Sequence, residues 1–416
     1  MLKIAIIGLG NRGGKYARQI KNSGEAEITA ICEKNPALLE GARVTCGVAK
    51  ENAFLSDDDF FRRGKLADAL VVATQDRDHY RHAISALKLG YHLLLEKPVS
   101  PVLSECEEIA ALAREKNLSA VVCHVLRYSP FYDEIKKTIN RGDIGGVVSL
   151  TDTENVGYWH FSHSYVRGNW HSEQESGPSI LAKCCHDLDI IGYLSGQKCA
   201  EVFSSGSRRL FLRENAPERA ADYCLDPCPE RKSCPYDVKK IYYGITRHTI
   251  PKMGAHIKVI TGMPNPKISD LKEALKTSPY GRCVYKCGND VMENQTVAMK
   301  LENGVNANLT MTAFSKGCFR RLHISGTKGE IIGIDAEHKF KINIFGGASR
   351  TARVRGGGIF GHLGGDRMLV LDFIKFLKTG EKTERLSTID ATLESHRIAF
   401  AAEESRKTGK AVLLLH

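Results

Sequence analysis

Two patterns of apolar and polar positions divide the chain. Up to about residue 125, short unbroken apolar runs alternate with stretches whose apolar positions recur at helical spacing. Residues 2–7, 28–32, 67–74, 91–95 and 120–125 read as strands covered on both faces, because continuous apolar runs bounded by turn signals suit a buried parallel sheet. Helices are expected over 11–20, 80–89, 100–116 and 131–140. From residue 147 the strands lengthen and the helices thin out, with strand patterns at 147–155, 199–205, 295–301, 305–314, 320–325 and 339–345. A largely antiparallel sheet fits that pattern. Helices at 368–378 and 390–407 and a short strand at 411–415 close the chain. The expectation is an α/β protein. Residues 1–126 form a doubly wound parallel sheet. Residues 127–416 form a second α/β domain with a large, mostly antiparallel open sheet, interrupted by an insertion over about 206–290.

The first strand runs into Gly8-Leu9-Gly10-Asn11-Arg12-Gly13 and then a helix. Strand, glycine turn and helix together suit a dinucleotide. Gly8 permits the turn, Gly10 lets backbone approach a pyrophosphate, Gly13 allows close helix–strand packing, and the helix start supplies N–H donors. Asn11 and Arg12 lie inside this turn. Glu33 ends the second strand twenty residues after Gly13, where a carboxylate accepts from the ribose hydroxyls and favours NAD over NADP. Lys34 beside it tolerates a 2′-phosphate. Thr74 stands at another strand end and is a cofactor-loop candidate. His79 either joins it or caps and packs the following helix.

At 93–98 three leucines pass directly into Glu96-Lys97-Pro98. Strand ends of an open parallel sheet face the ligand crevice, so Glu96 and Lys97 are expected there. In the second domain one helix is expected over 179–194. Lys183, His186 and Asp187 stand at i, i+3 and i+4 on it and share a face. Grouping an amine, an imidazole and a carboxylate on an otherwise apolar helix points to a polar cavity or to a structural ion-pair cluster. Residues 158–171 hold both tryptophans, Trp159 and Trp170, among Tyr158, His160, His163 and Arg167. Aromatic plates beside polar donors suit sugar rings; a packed loop joining two elements is the other reading.

The net charge is +11. The basic residues are scattered, with no long Lys/Arg run, so nucleic acid is not expected as a partner. No apolar segment approaches a membrane span and no leader is expected. Thirteen cysteines fit reduced thiols in a cytoplasm better than a disulfide framework. Cys224, Cys228, Cys234, Cys283 and Cys287 cluster in the insertion. Four thiolates can hold structural zinc, but the spacings are not the usual CxxC and no His pair completes the set. Free thiols or a loop clip are therefore expected, and no metal site.

The glycine turn, Ala73-Thr74 with His79, Glu96-Lys97-Pro98, Arg127-x-x-Pro130, residues 183–189 and Gly326-Thr327-Lys328-Gly329 together resemble the Gfo/Idh/MocA family of NAD(P)-dependent oxidoreductases over essentially the whole chain. The resemblance implies a Rossmann domain and an open-sheet domain that forms homodimers or homotetramers. It implies a Lys97 that touches nicotinamide and substrate hydroxyl beside a cis Pro98, and His186 as acid/base. Arg127 joins the substrate candidates, and sugars or cyclitols are the implied substrates. Many relatives carry Asp four residues before the histidine; here that place is Ala182, and Lys183 can take the polar role. A smaller branch of the family uses NAD to cleave glycosides without net oxidation, and the aromatic segment and the insertion fit it. Oxidation of a ring hydroxyl, at C3 in the glycoside case, is the expected chemistry. A simple sugar or cyclitol dehydrogenase is the alternative, and a non-catalytic dinucleotide sensor is the reading from another class.

Overall fold

A computed structural model describes residues 1–243, 250–354 and 364–414, the side chains of 250–255 excepted. Strand β1 (Leu2–Ile7) is sealed from Ile4 onward, which its unbroken apolar run permits only inside a sheet covered on both faces. It pairs in parallel with β2 (Ala26–Cys32), which pairs with β3 (Ala53–Phe54). On its other side it pairs with β4 (Ala69–Val72), followed by β5 (His92–Leu95) and β6 (Ala120–Val122), all parallel. The order β3-β2-β1-β4-β5-β6 reverses between β1 and β4. Such a reversal opens a crevice at the carboxyl ends of these strands, where Gly8 and Thr74 stand.

The second sheet contains β7 (Val147–Asn155), β8 (Cys199–Ser207), β9 (Asn294–Leu301), β10 (Asn306–Thr312) and β11 (Phe319–Gly326). It also contains β12 (Gly329–Ile334), β13 (Lys339–Ile344), β14 (Arg350–Arg353) and β15 (Val412–Leu413). Their order is β14-β13-β12-β11-β7-β10-β9-β8-β15, with antiparallel pairing throughout except the parallel β7–β10 pair. Strands β12 and β14 are additions to the sequence pattern. Glycines interrupt the apolar rhythm of β12, and Gly333 is needed there: a Cβ would sit 2.8 Å from Phe340 and 2.9 Å from Phe131. Alternation in β7 turns Leu150, Asp152 and Glu154 to the buried face.

The expected helix start at Ser100-Pro101 lies later, at Leu103–Glu115. The Ser100 hydroxyl accepts the Val102 amide instead of capping the helix, at 3.1 Å. The last two long helices tie the sheets together. Gly365–Thr379 packs Leu369, Val370 and Phe373 into one core with Ile4, Ile6 and Tyr16. Ile389–Thr408 puts Ile389 and Leu393 beside Leu93 and Leu95, and Ile398, Ala399 and Ala402 into the core of the second sheet. The chain after residue 127 therefore returns to brace the first sheet. Residues 355–363, a glycine-rich stretch in the sequence, lie outside the described residues. Among the described residues no helix is long and apolar enough to cross a membrane.

Candidate active site

The glycine turn is built by close contact. Gly8 has φ +84°, and a Cβ there would lie 2.5 Å from the Ala73 carbonyl oxygen. A Cβ at Gly13 would lie 1.8 Å from the Gly8 oxygen, so both positions need glycine. At Gly10 a Cβ would meet nothing within 4 Å, so the backbone there is open to an approaching phosphate. Glu33 closes the turn from the side. Its Oε2 accepts the Leu9 amide at 2.7 Å and its Oε1 the Asn35 amide at 3.0 Å. A cavity of about 290 Å³ lies between Gly8, Gly10, Glu33, Lys34, Leu38 and Thr74. Thr74 Oγ1 is 3.1 Å from His82 Nδ1, and His82 Nε2 meets Asp57 at 2.8 Å. These features fit the adenosine and pyrophosphate parts of a dinucleotide.

Arg12 turns away from that cavity. It pairs with Glu96 at 2.5 Å and Asp366 at 2.7 Å and donates to the Tyr16 hydroxyl. Burial pushes the Glu96 carboxyl up, but Arg12 outweighs it and holds the group below the ordinary glutamate value. Glu96 Oε2 then accepts the Lys97 backbone amide at 3.0 Å. His79 is buried and donates from Nδ1 to the Pro98 carbonyl at 2.8 Å, with Nε2 3.3 Å from the Thr74 carbonyl. It ties the ends of β4 and β5 together; both of its nitrogens are turned to backbone oxygens of the protein.

The Lys97–Pro98 peptide is cis. Lys97 crosses from β5 to the second sheet's domain, and its Nζ donates to the Ala182 carbonyl at 2.7 Å. That contact corrects the expectation of one helix over 179–194. The structure has Ser179–Ala182 and Cys185–Ser195, with a break at Lys183. A continuous helix would give the Ala182 carbonyl to the His186 amide; here Lys97 takes it. Lys183, His186 and Asp187 therefore do not share an uninterrupted helix face: Lys183 and Asp187 meet in one charge cluster, while His186 packs against His124.

Beneath the break lies a charge cluster that sequence reading missed. Lys183 Nζ meets Glu154 Oε1 at 3.0 Å. Arg320, directly opposite Glu154 in the β7–β11 register, meets it at 2.8 Å and pairs with Asp187, with Asp335 at 3.9 Å. Burial would lower the Lys183 ammonium, but Glu154, with Asp187 and Cys318, outweighs it and the group stays charged. Burial would raise Glu154, yet Arg320 and Lys183 hold it below the usual range. Burial raises Asp187 and raises Asp152 strongly, the latter further through the charge of Asp187. His186 is buried, with the His124 ring edge-on at 5.5 Å. The alternation of β7 was a readable signal, since Asp152 and Glu154 share its inward face with Leu150.

Several substrate candidates are engaged elsewhere. Arg127 is buried in a bidentate pair with Asp189, two contacts of 2.7 Å, and is a fold brace. Arg167 is buried against the Arg282 and Tyr236 carbonyls at 2.7 and 2.9 Å. His163 meets the Tyr242 hydroxyl at 2.9 Å and stacks on Tyr280. Residues 158–171 are largely helical, Tyr158–Phe161 continuing as Ser162–Arg167, which corrects the loop expectation. Tyr158 packs edge-on against Tyr236, and Trp159 against His160 and His256. Burial, reinforced by the charge of Lys183, depresses His160, which is therefore neutral near pH 7. Trp170 Nε1 donates to Asp76 at 2.8 Å and Asn169 to Gln75 at 3.2 Å, so this segment clasps the loop after β4.

An oxidoreductase family described as an NAD-binding Rossmann fold matches residues 2–124. The companion description, a C-terminal alpha/beta domain, matches residues 136–414. The chain is 24% identical over 311 residues to YteT of Bacillus subtilis, covering 73% of this chain and 69% of that protein. It is 23% identical over 197 residues to the 2,7-anhydro-N-acetylneuraminate hydratase of Escherichia coli, covering 47% of this chain and only half (50%) of that protein. A levoglucosan dehydrogenase solved with NADH and levoglucosan has the same fold, with TM-score 0.73, 17% identity and 100% of each chain covered.

Proposed function

Since this chain belongs to the Gfo/Idh/MocA family of NAD-binding oxidoreductases, we propose that it oxidises a ring hydroxyl of a sugar or glycoside at the break between Ala182 and Cys185. The observation that carries this reading is Lys97: its ammonium spans from the strand ends of the cofactor sheet to the Ala182 carbonyl, at the break that Lys183 occupies. Relatives named for an anhydro-sugar hydratase and a myo-inositol dehydrogenase support a polyhydroxylated ring as substrate.

When bound, NAD supplies the hydride acceptor and, in a redox-neutral variant, returns the hydride. The protein's residues manage the proton and the charge. His186 takes the hydroxyl proton as it leaves with the hydride, a role worth about 10²- to 10⁴-fold in rate. Lys97 donates to the oxygen that becomes the ketone and stabilises its developing charge. Lys183, kept charged by Glu154, donates to a neighbouring hydroxyl, and Asp187 accepts from another. Gly8, Gly10, Asn11, Gly13, Glu33 and Thr74 hold the dinucleotide, while Arg12, Glu96 and His79 position the turn and Lys97. Trp159 and His160 form the sugar rim.

One observation favours the redox-neutral variant. The clasp of Asn169 on Gln75 and Trp170 on Asp76 is joined at the adenosine end by Asn35, which donates to the Gly262 carbonyl at 3.0 Å. A cleft tied across at both ends suits a dinucleotide kept through many turnovers. Oxidation of a pyranoside at C3 acidifies the C2 hydrogen, so a C1 leaving group can be eliminated, water added and the ketone reduced again. An aryl glycoside with trace NAD separates the outcomes: phenol in large excess over NAD supports cleavage, and stoichiometric NADH without phenol supports a dehydrogenase. Neither product from any pyranoside or cyclitol, in an enzyme that binds NAD, overturns the proposal.

A further inference from the structure

The insertion carries five cysteines, and the fold brings them to one place. Tyr223 and Arg282 form an antiparallel bridge. The Cys224 amide donates to the Gly281 carbonyl and the Cys283 amide to the Asp222 carbonyl, both at 2.8 Å. These bonds set Cys224 and Cys283 side by side at the two ends of the insertion. A cavity of about 250 Å³ beside them is lined by Cys224, Cys228, Cys234 and Cys283. Cys287 lies on the inner side, near enough to feel Cys283 and Cys224, and its Sγ is 3.2 Å from the Cys283 carbonyl. All five are free thiols.

Two further observations ask for negative charge here. Arg167 is 2% exposed, and among the described residues no carboxylate pairs with it. Its Nη1 has no hydrogen-bond partner, and its Nη2 lies 3.5 Å from Cys224 Sγ. A buried guanidinium without a counter-charge is costly, and thiolates are the anions this neighbourhood can form. The backbone N–H of Tyr236 is turned to the Cys234 sulfur and that of Tyr285 to the Cys283 sulfur, two residues on in each case, although burial raises both free thiols. Main-chain donors of this kind support thiolates that serve as metal ligands.

We propose that Cys224, Cys234, Cys283 and Cys287 bind one structural zinc ion, with Cys228 at the cavity mouth as a bystander. Among the described residues no three His, Cys, Asp or Glu side chains already stand at coordination spacing, so the thiols turn inward about χ1 to reach Zn–S contacts of roughly 2.3 Å. Four thiols release four protons, and the Zn²⁺ tetrathiolate keeps a charge of −2, which Arg167 partly offsets. The ion staples the two ends of the segment between Cys234 and Cys283. That segment carries helices Ile250–Thr261 and Ile268–Thr277 and reaches Asn35 beside the cofactor cavity.

Elemental analysis of the enzyme, purified without added metal, should give about one zinc per chain. Exchange with Co²⁺ alone should give sulfur-to-cobalt charge-transfer bands and the visible bands of a tetrahedral site. Cys228→Ser should keep the metal and Cys287→Ser should lose it. Because Cys224→Ser or Cys283→Ser can fail to fold, the zinc content and cobalt spectrum of the unaltered enzyme stand as the deciding measurements. Folded, active enzyme without metal and with these thiols open to a thiol reagent overturns the proposal. A disulfide among them, or iron with acid-labile sulfide, overturns it equally.

Discussion

At the scale of single residues, Lys97 and Arg320 do different work that two substitutions separate. In the proposed mechanism Lys97 donates toward the reacting oxygen, so Lys97→Ala should lower kcat by about 10²- to 10³-fold, as for removal of one oxyanion donor. Dinucleotide affinity, measured by fluorescence titration, should stay nearly unchanged. Arg320 is buried and holds Glu154 and Asp187 in place under Lys183. Arg320→Ala leaves Asp187 without its ion-pair partner and Glu154 with Lys183 alone, and breaking a buried pair typically costs about 3–5 kcal/mol. It should lower the melting temperature, as well as kcat/KM. A melting temperature equal to that of the parent would show that the cluster is not load on the fold. Lys97, His186 and Glu33 stand out in the sequence as candidates because each lies at a strand end or in a polar spot of an apolar run. Arg320 was not: its role depends on cross-strand register with Glu154, which no local pattern contains.

Among elements, the glycine turn and β5 are joined by the Arg12–Glu96–Tyr16 contacts. The Glu96 pKa is depressed in the folded protein. Its stabilisation is therefore present above the ordinary glutamate range and is lost as pH falls through the depressed value. Glu96→Gln should melt below the parent at neutral pH, and the gap should narrow on acidification below that range. A gap constant with pH, followed by thermal denaturation, would contradict the assignment. The parallel strands of the first sheet were readable because burial on both faces writes continuous apolar runs. The helix expected over 179–194 was misread for the opposite reason. Its residues suit a helix throughout, and the break comes from Lys97, distant in sequence, holding the Ala182 carbonyl. The π-helical turn Ser162–Arg167 likewise has no local signature; Arg167 is held by carbonyls of Tyr236 and Arg282.

For the whole molecule, the two sheets are joined by the last two helices and by the clasp over the cofactor loop. Trp170→Phe removes the 2.8 Å bond to Asp76 and leaves the aromatic packing with Tyr165. It should speed NAD release several-fold in a dilution experiment with little effect on the chemical step; unaltered release would show that the clasp does not retain the cofactor. We also expect self-association through the second sheet. Its outer face presents Phe203 and Ile332, 48% and 40% exposed, among polar side chains. Light scattering of Phe203→Lys/Ile332→Glu should report a smaller species than the parent. The central claim, however, concerns one bond: the C–H of a ring carbinol held between Lys97 and the cofactor. Pyranoside carrying deuterium on the C3 carbinol carbon, incubated with the enzyme and NAD, tests it most directly by mass spectrometry. The account predicts deuterium in the reduced dinucleotide, or retained on C3 through glycoside cleavage, and the same products formed far more slowly with Lys97→Ala. Turnover that leaves the dinucleotide unlabelled and exchanges the C3 deuterium for solvent hydrogen would contradict it.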